Sequence, residues 1–256
     1  MSIKLKSSQT THSSYHSLSL WVLIYAFSYA FFHIIPVLLH YEIKNRLMVG
    51  DLFDILTPFA IVLVAYKIFR ILSSGASQDS DSSARTLAIG ILILGAITFV
   101  EGHGMHLSAN AIARHLAPMK GSPLFTLDYF FDEKLGHILW DSGIALLSFG
   151  LILMGSNFNQ ARALNQKPIL TIFASLLYGF TYFVNAVEGQ TAFFTFPLAI
   201  VIPFFIWCLV RRRRILLLKN PVLSFYLLAH LLALPLFIIW GIWHGGFPEF
   251  SELGWI

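Results

Sequence analysis

Seven windows of about 20 apolar residues recur along the chain, each long enough to cross a hydrocarbon core as a helix. They run Leu18–Leu39, Leu52–Leu72, Thr86–Met105, Leu135–Met154, Ile169–Val187, Phe193–Val210 and Val222–Trp243. A spanning segment must satisfy its own backbone N–H and C=O groups, because lipid offers them no partner. The fold class expected is therefore all-α: a polytopic integral membrane protein built as a seven-helix bundle. Charged residues make up only 12% of the chain, against roughly 25% in soluble domains, which excludes a soluble globular protein and a disordered one alike.

Basic residues of short loops stay on the cytoplasmic side. The run Arg211 to Arg214 sets the choice, and alternation then puts the N-terminus, the Lys67 to Arg85 segment, Arg162, Lys167 and Lys219 inside with it. Twelve of the 17 bases fall on that side with two acids, Asp79 and Asp81, and five bases with eleven acids fall on the other. The expectation is an N-terminus in the cytoplasm, a C-terminus outside, and a plasma or inner membrane location. Residues 1–17 form a cytoplasmic tail, 18–243 the transmembrane domain with an outer loop at 107–133, and 244–256 an outer tail. Lys4 and Lys6 look like the start of a signal peptide, but no small-residue cleavage site follows, so an uncleaved first helix is expected. The formal charge of +4 orients the spans, and no nucleic-acid partner is expected.

Ionisable groups in a bilayer are expensive unless they meet a partner or a water-filled cavity, so their positions point to function. They gather near the outer ends: Tyr29 and His33 on span one; Asp51 and Asp54 on span two; Glu101, His103 and His106 on span three; Glu133, His137 and Asp141 on span four; Asn185 and Glu188 on span five. The inner halves are nearly bare, apart from His230 near the midplane of span seven. Helical spacing puts His103, His106 and Asn110 on one stripe and Glu133, His137 and Asp141 on another. Imidazoles beside carboxylates form the ligand set of a zinc, non-haem iron or manganese site, with further acids orienting the rings. The metal ligands expected are His103, His106, His137, Asp141 and His33, with Zn first and Fe or Mn as alternatives. Glu101 or Glu188 is the expected general base for a metal-bound water, with Asp141 a further ligand or the orienter of His137.

The tripeptide Val100-Glu101-Gly102 recurs as Val187-Glu188-Gly189 at the same end of a parallel span. His40, Glu42, His115, Glu249 and Glu252 read as exposed loop residues. There is no phosphate-binding glycine loop, no Gly-x-Ser-x-Gly, no His-Glu-x-x-His and no cysteine metal pattern.

Seven spans with His and acids at one face resemble the seven-helix membrane hydrolases that include alkaline ceramidases and the adiponectin receptors. That resemblance implies a His-ligated zinc that activates water against a lipid amide. The last span departs from the family's paired His-x-x-x-His, offering only His244 and the distant His230. The function expected is a metal-dependent hydrolase acting on a membrane lipid or lipid-like small molecule from the outer leaflet. The alternatives are a proton- or cation-coupled transporter with His230 on its path, and a haem or di-iron oxidoreductase with His33 and His137 as haem ligands.

Overall fold

The computed structural model describes residues 18–39, 41–44, 47–76, 82–158 and 166–255. The tail expected at 1–17, with Lys4 and Lys6, lies outside them, as do His40, Asp79, Asp81 and Arg162. Among the described residues, seven helical segments are long and apolar enough to cross a membrane. In chain order they are α1 (Leu18–Leu38), α2 (Val49–Ser74), α3 (Ser82–Leu116), a fourth segment that joins α4 (Pro123–Tyr129) to α5 (His137–Ser156), then α6 (Pro168–Glu188), α7 (Ala192–Arg213) and α8 (Pro221–His244). A two-stranded antiparallel hairpin, β1 (Glu42–Lys44) and β2 (Leu47–Met48), links α1 to α2.

One expectation needs correction. The segment expected as a loop over 107–133 is helical for most of its length. At 1.5 Å per residue, the 35 residues of α3 reach about 50 Å, well beyond a hydrocarbon core of about 30 Å. Its last turns carry polar side chains that a hydropathy window stops short of. After a Pro118 break, α4 leads into a π-helical stretch, Phe130–Gly136, that runs straight into α5.

The tightest packing is between α3 and α5, and glycines spaced by seven explain it: Gly95 and Gly102 on one helix, Gly136 and Gly143 on the other. A Cβ on Gly102 would overlap the backbone of Trp140, and one on Gly143 the backbone of Phe99. Without a hydrophobic drive between helices in lipid, such close backbone approach is what holds a pair together. By contrast α7 turns Phe193, Ile200, Phe204 and Trp207 outward, as a lipid-facing helix does.

The chain's turns collect at two ends. At one, Ser19 Oγ donates to Gln166 Oε1 at 2.9 Å, Asn220 Nδ2 donates to the Gly155 carbonyl at 2.8 Å, and Ala76 bridges Phe158. At the other, the helix ends splay around a cavity. Between them lies a packed core that includes Tyr25, Tyr29, Tyr178, Tyr226 and His230.

Candidate functional site

The cavity at the splayed end has a volume of about 570 Å³. Its polar wall includes His33, Asp54, His106, Glu133, His137 and Glu188, and its apolar wall Ile34, Val37, Leu38, Phe180 and Val184. Five of the seven segments, α1, α2, α3, α4–α5 and α6, line it, and the tail that follows α8 closes it.

Two imidazole–carboxylate pairs form its chemical centre. His106 Nδ1 lies 2.7 Å from Asp132 Oδ1, in ion-pair contact without the alignment of a hydrogen bond. His137 Nε2 lies 3.7 Å from Glu133 Oε2. The two rings meet edge to face at 4.5 Å. Glu133 reaches His137 at the ordinary i,i+4 spacing, and the π-helical stretch, whose i→i+5 turn alters the register, accompanies the turn of the adjacent Asp132 to His106. Gly136 and Gly102 let the two backbones close up at this level.

Trp140 organises the rest. Its indole stacks on His137 at 5.6 Å and also touches His33 at 4.9 Å and His103 at 4.4 Å. His33 Nδ1 donates to the Tyr29 carbonyl at 2.6 Å, which assigns the ring proton to Nδ1 and leaves Nε2 as a bare, buried acceptor. His103 Nε2 likewise donates to the Asp54 carbonyl at 2.7 Å. Such bonds fix a tautomer and an orientation.

The expected site residues divide. His33, His106, His137 and Glu188 reach the cavity. His103 is buried against Asp54 and Trp140 behind the wall. Asp141 is buried too, accepting hydrogen bonds from Thr191 and from Asn185 Nδ2, the latter at 3.0 Å; those partners answer the demand of a buried carboxylate. Glu101 is exposed and does not line the cavity, since Gly102 and His103 occupy the face of α3 that turns to α5. The two Val-Glu-Gly tripeptides thus diverge at their glutamates, whereas both glycines abut the start of the fourth span: a Cβ on Gly189 would strike the His137 ring. Among the described residues no three His, Cys, Asp or Glu side chains form a group that could hold a metal ion. The indole of Trp140 sits among the histidines where such an ion would need its ligands to converge. The residues do not fit a closed metal centre as placed, and no step is derived through one.

Beside Asp132 and Trp140, three further contributors were not singled out from the sequence. Arg114 pairs with Asp51 across the cavity floor, Nη2 to Oδ2 at 2.5 Å, and Asp51 also accepts the Met48 N–H at 2.8 Å. Glu249, expected in a loop, lines the cavity, because the tail after α8 folds back over it. Glu188 Oε2 accepts the N–H of Phe250 at 2.8 Å and of Ser251 at 3.3 Å, and Phe250 packs on Trp240 at 4.5 Å. Gln190, in a left-handed turn with φ 53°, sets its side-chain amide between Tyr129, Lys134 and Glu249.

These features define a polytopic, predominantly helical membrane protein with a mixed polar and apolar cavity at one end of its bundle. Two curated relatives carry the same name: the chain is 27% identical over 226 residues to the dog "Ceroid-lipofuscinosis neuronal protein 6 homolog" and 27% over 219 residues to human "Ceroid-lipofuscinosis neuronal protein 6". Each match covers 78% of this chain, and the chain spans only 65% of the relatives' length. No protein-family model matches the chain, so the resemblance to the seven-helix hydrolases gains no support there. No solved structure matches it either.

Proposed function

We propose that this protein takes an amphiphile from the membrane into the cavity and hydrolyses it there by acid–base chemistry. The observation that carries the reading is one cavity that joins two imidazole–carboxylate pairs to an apolar wall. The chain of the amphiphile lies against Ile34, Val37, Leu38 and Val184, and its head against His106, His137 and Glu133. In the reaction, His106 takes a proton from water as the water oxygen attacks a carbonyl carbon of the head. It returns that proton to the departing alcohol or amine, while Asp132 favours the charged ring between the two transfers. If a zinc, iron or manganese ion binds, His33, His106 and His137 are the expected histidine ligands that reach the cavity, and the ion would supply a more acidic water. The names of the two relatives state no ligand and no reaction. We assign the end with Arg211 to Arg214 to the cytoplasm, so the cavity opens on the opposite side.

The test is turnover of a panel of lipid esters and amides by the purified full chain. His106→Ala is expected to lower the rate about 100-fold or more, the usual worth of one acid–base group, and Asp132→Asn to lower it less. Equal rates for His106→Ala and the parent would overturn the mechanism. Metal content by elemental analysis, before and after His137→Ala, decides whether an ion takes part.

A second reading, proton- or cation-coupled transport, draws on a different observation: polar groups do continue into the core. Tyr29 stacks on His33 at 4.1 Å and on Tyr178 at 4.7 Å, and His230 lies 5.1 Å from Tyr182 and 6.4 Å from Tyr178. Ion uptake into proteoliposomes that is lost in His230→Ala would favour transport over hydrolysis.

A further inference from the structure

The cavity's charge is lopsided. Five carboxylates line it, those of Asp51, Asp54, Glu133, Glu188 and Glu249, while among the described residues its only Lys or Arg is Arg114. Arg114 is committed to Asp51 at 2.5 Å. No Lys or Arg among the described residues reaches ion-pair distance of Glu133, Glu188 or Glu249. What these three have instead are neutral donors: backbone N–H groups on Glu188, the Gln190 amide on Glu249, and the His137 ring near Glu133. Lys134 is turned to the rim, with its ammonium on Gln190 and 5.8 Å from the Tyr129 ring. His137 is 8% exposed and lines the same wall, and its Nδ1 has no hydrogen-bond partner. This is an acceptor-rich pocket with a single, already committed Arg among its described lining residues. Acids crowded beside lipid oppose one another's ionisation, and a low-dielectric wall focuses their field into the cavity.

We infer that the amphiphile held in this cavity carries a cationic ammonium head, with Glu133, Glu188 and Glu249 as its counter-charges and Trp140 as a π surface beside it. The inference rests on the amphiphile reading above and narrows it: fatty acids and other anionic amphiphiles are rejected, and uncharged ones bind weakly. The polarity of the pocket decides the head, and the apolar wall from Ile34 to Leu38 accepts the tail.

The experiment uses the full chain in maltoside micelles, which carry no charge, with three probes of equal chain length: hexadecyltrimethylammonium, hexadecanol and hexadecanoate. Bound probe is counted by native mass spectrometry. The ammonium probe is expected to bind at least about tenfold tighter than the alcohol, and the carboxylate weakest. Glu188→Gln keeps an oxygen for the Phe250 N–H, and Glu133→Gln touches no backbone bond; together they are expected to shrink the preference for the ammonium probe to about threefold or less. Val184→Trp fills the cavity and is expected to weaken all binding. If the alcohol binds as tightly as the ammonium, and Val184→Trp abolishes both, the head assignment is overturned while the amphiphile reading stands. If Val184→Trp leaves every probe's binding unchanged, the amphiphile reading falls and this inference with it.

Discussion

The two ends of the bundle solve the same problem differently. At the end carrying Arg211 to Arg214, short polar links between neighbouring turns close the structure: Ser19 with Gln166, Asn220 with Gly155, Arg213 with the Ser156 carbonyl at 3.3 Å. At the other end the helices run past the hydrocarbon level and part, and the polar groups there face a cavity of about 570 Å³ in place of each other. Buried polar atoms are normally paired. Ser19, Asn220 and Arg213 at the first end all find partners, whereas His33, His103 and His137 at the second each keep an unpartnered ring nitrogen. Stability is concentrated where groups are satisfied, and chemistry is available where they are not.

That contrast depends on the α3–α5 contact, which holds the splayed end in register, and breaking it should have the largest effect. Gly102→Leu pushes a side chain into the backbone of Trp140 and is expected to cost about 3 kcal/mol or more, read as loss of the folded peak in detergent and a lower Tm. Gly90→Leu is the control on the same helix, because a Cβ there meets nothing within 4 Å; it should leave Tm unchanged. Equal damage from both would show that helix propensity, and not close approach, sets stability here.

The next effect concerns the cavity floor. Asp51 is 3% exposed and pairs with Arg114, so Arg114→Met alone strands a buried charge at a cost of about 3 kcal/mol, and Asp51→Asn, which leaves the half-buried Arg114, costs less. The double variant should recover most of that loss. A thermal-unfolding cycle on the four proteins checks it, and additive losses would refute the pairing as the source. The same substitutions on the exposed Arg211 should do nothing measurable, which sharpens the difference between the ends.

The sequence carried the spans and much of the site, for identifiable reasons. An apolar window of about 20 residues has few other uses, so all seven spans were legible. The extension of α3 to Leu116 was legible only in part: helical spacing carries the stripe on to Asn110, but polar residues such as Ser108, Asn110 and Arg114 lower hydropathy without breaking a helix and so place the stretch outside the apolar window. His106, His137 and Glu133 followed from helical spacing. Glu101 did not fit because depth along a helix says nothing about the face a residue occupies, and Glu188 at equivalent depth turns inward. The pairing of Asp132 with His106 accompanies a π-helical register that no 3.6-residue pattern contains. Buried tyrosines such as Tyr178 were invisible because they count as apolar in hydropathy. Glu249 was missed since nothing local says that a tail folds back.

The smallest expected effect lies in that tail, and it tests whether the splayed end is a fixed cup or one with a responsive rim. Burial first, then the neighbouring carboxylates Glu252 and Glu188, push the Glu249 carboxyl above its usual range. A raised carboxyl holds its proton more tightly with the tail docked than with it free. Its contribution to docking is therefore fully present below the free-glutamate value of about 4.3 and is lost as pH rises through the raised value. The loss is modest, because Phe250 and Trp255 still pack on Trp240 and Glu188 still accepts two backbone N–H groups from the tail. Spin labels at Leu253→Cys and Phe193→Cys, in a Cys208→Ala background, should show a broader distance distribution at about pH 8 than at about pH 4, on either side of the free-glutamate value. Glu249→Gln should hold the narrow distribution at both. An unchanged distribution in the parent, or equal broadening with Glu249→Gln, would mean that the rim is fixed by its aromatic contacts alone and that the two ends differ in polarity but not in mobility.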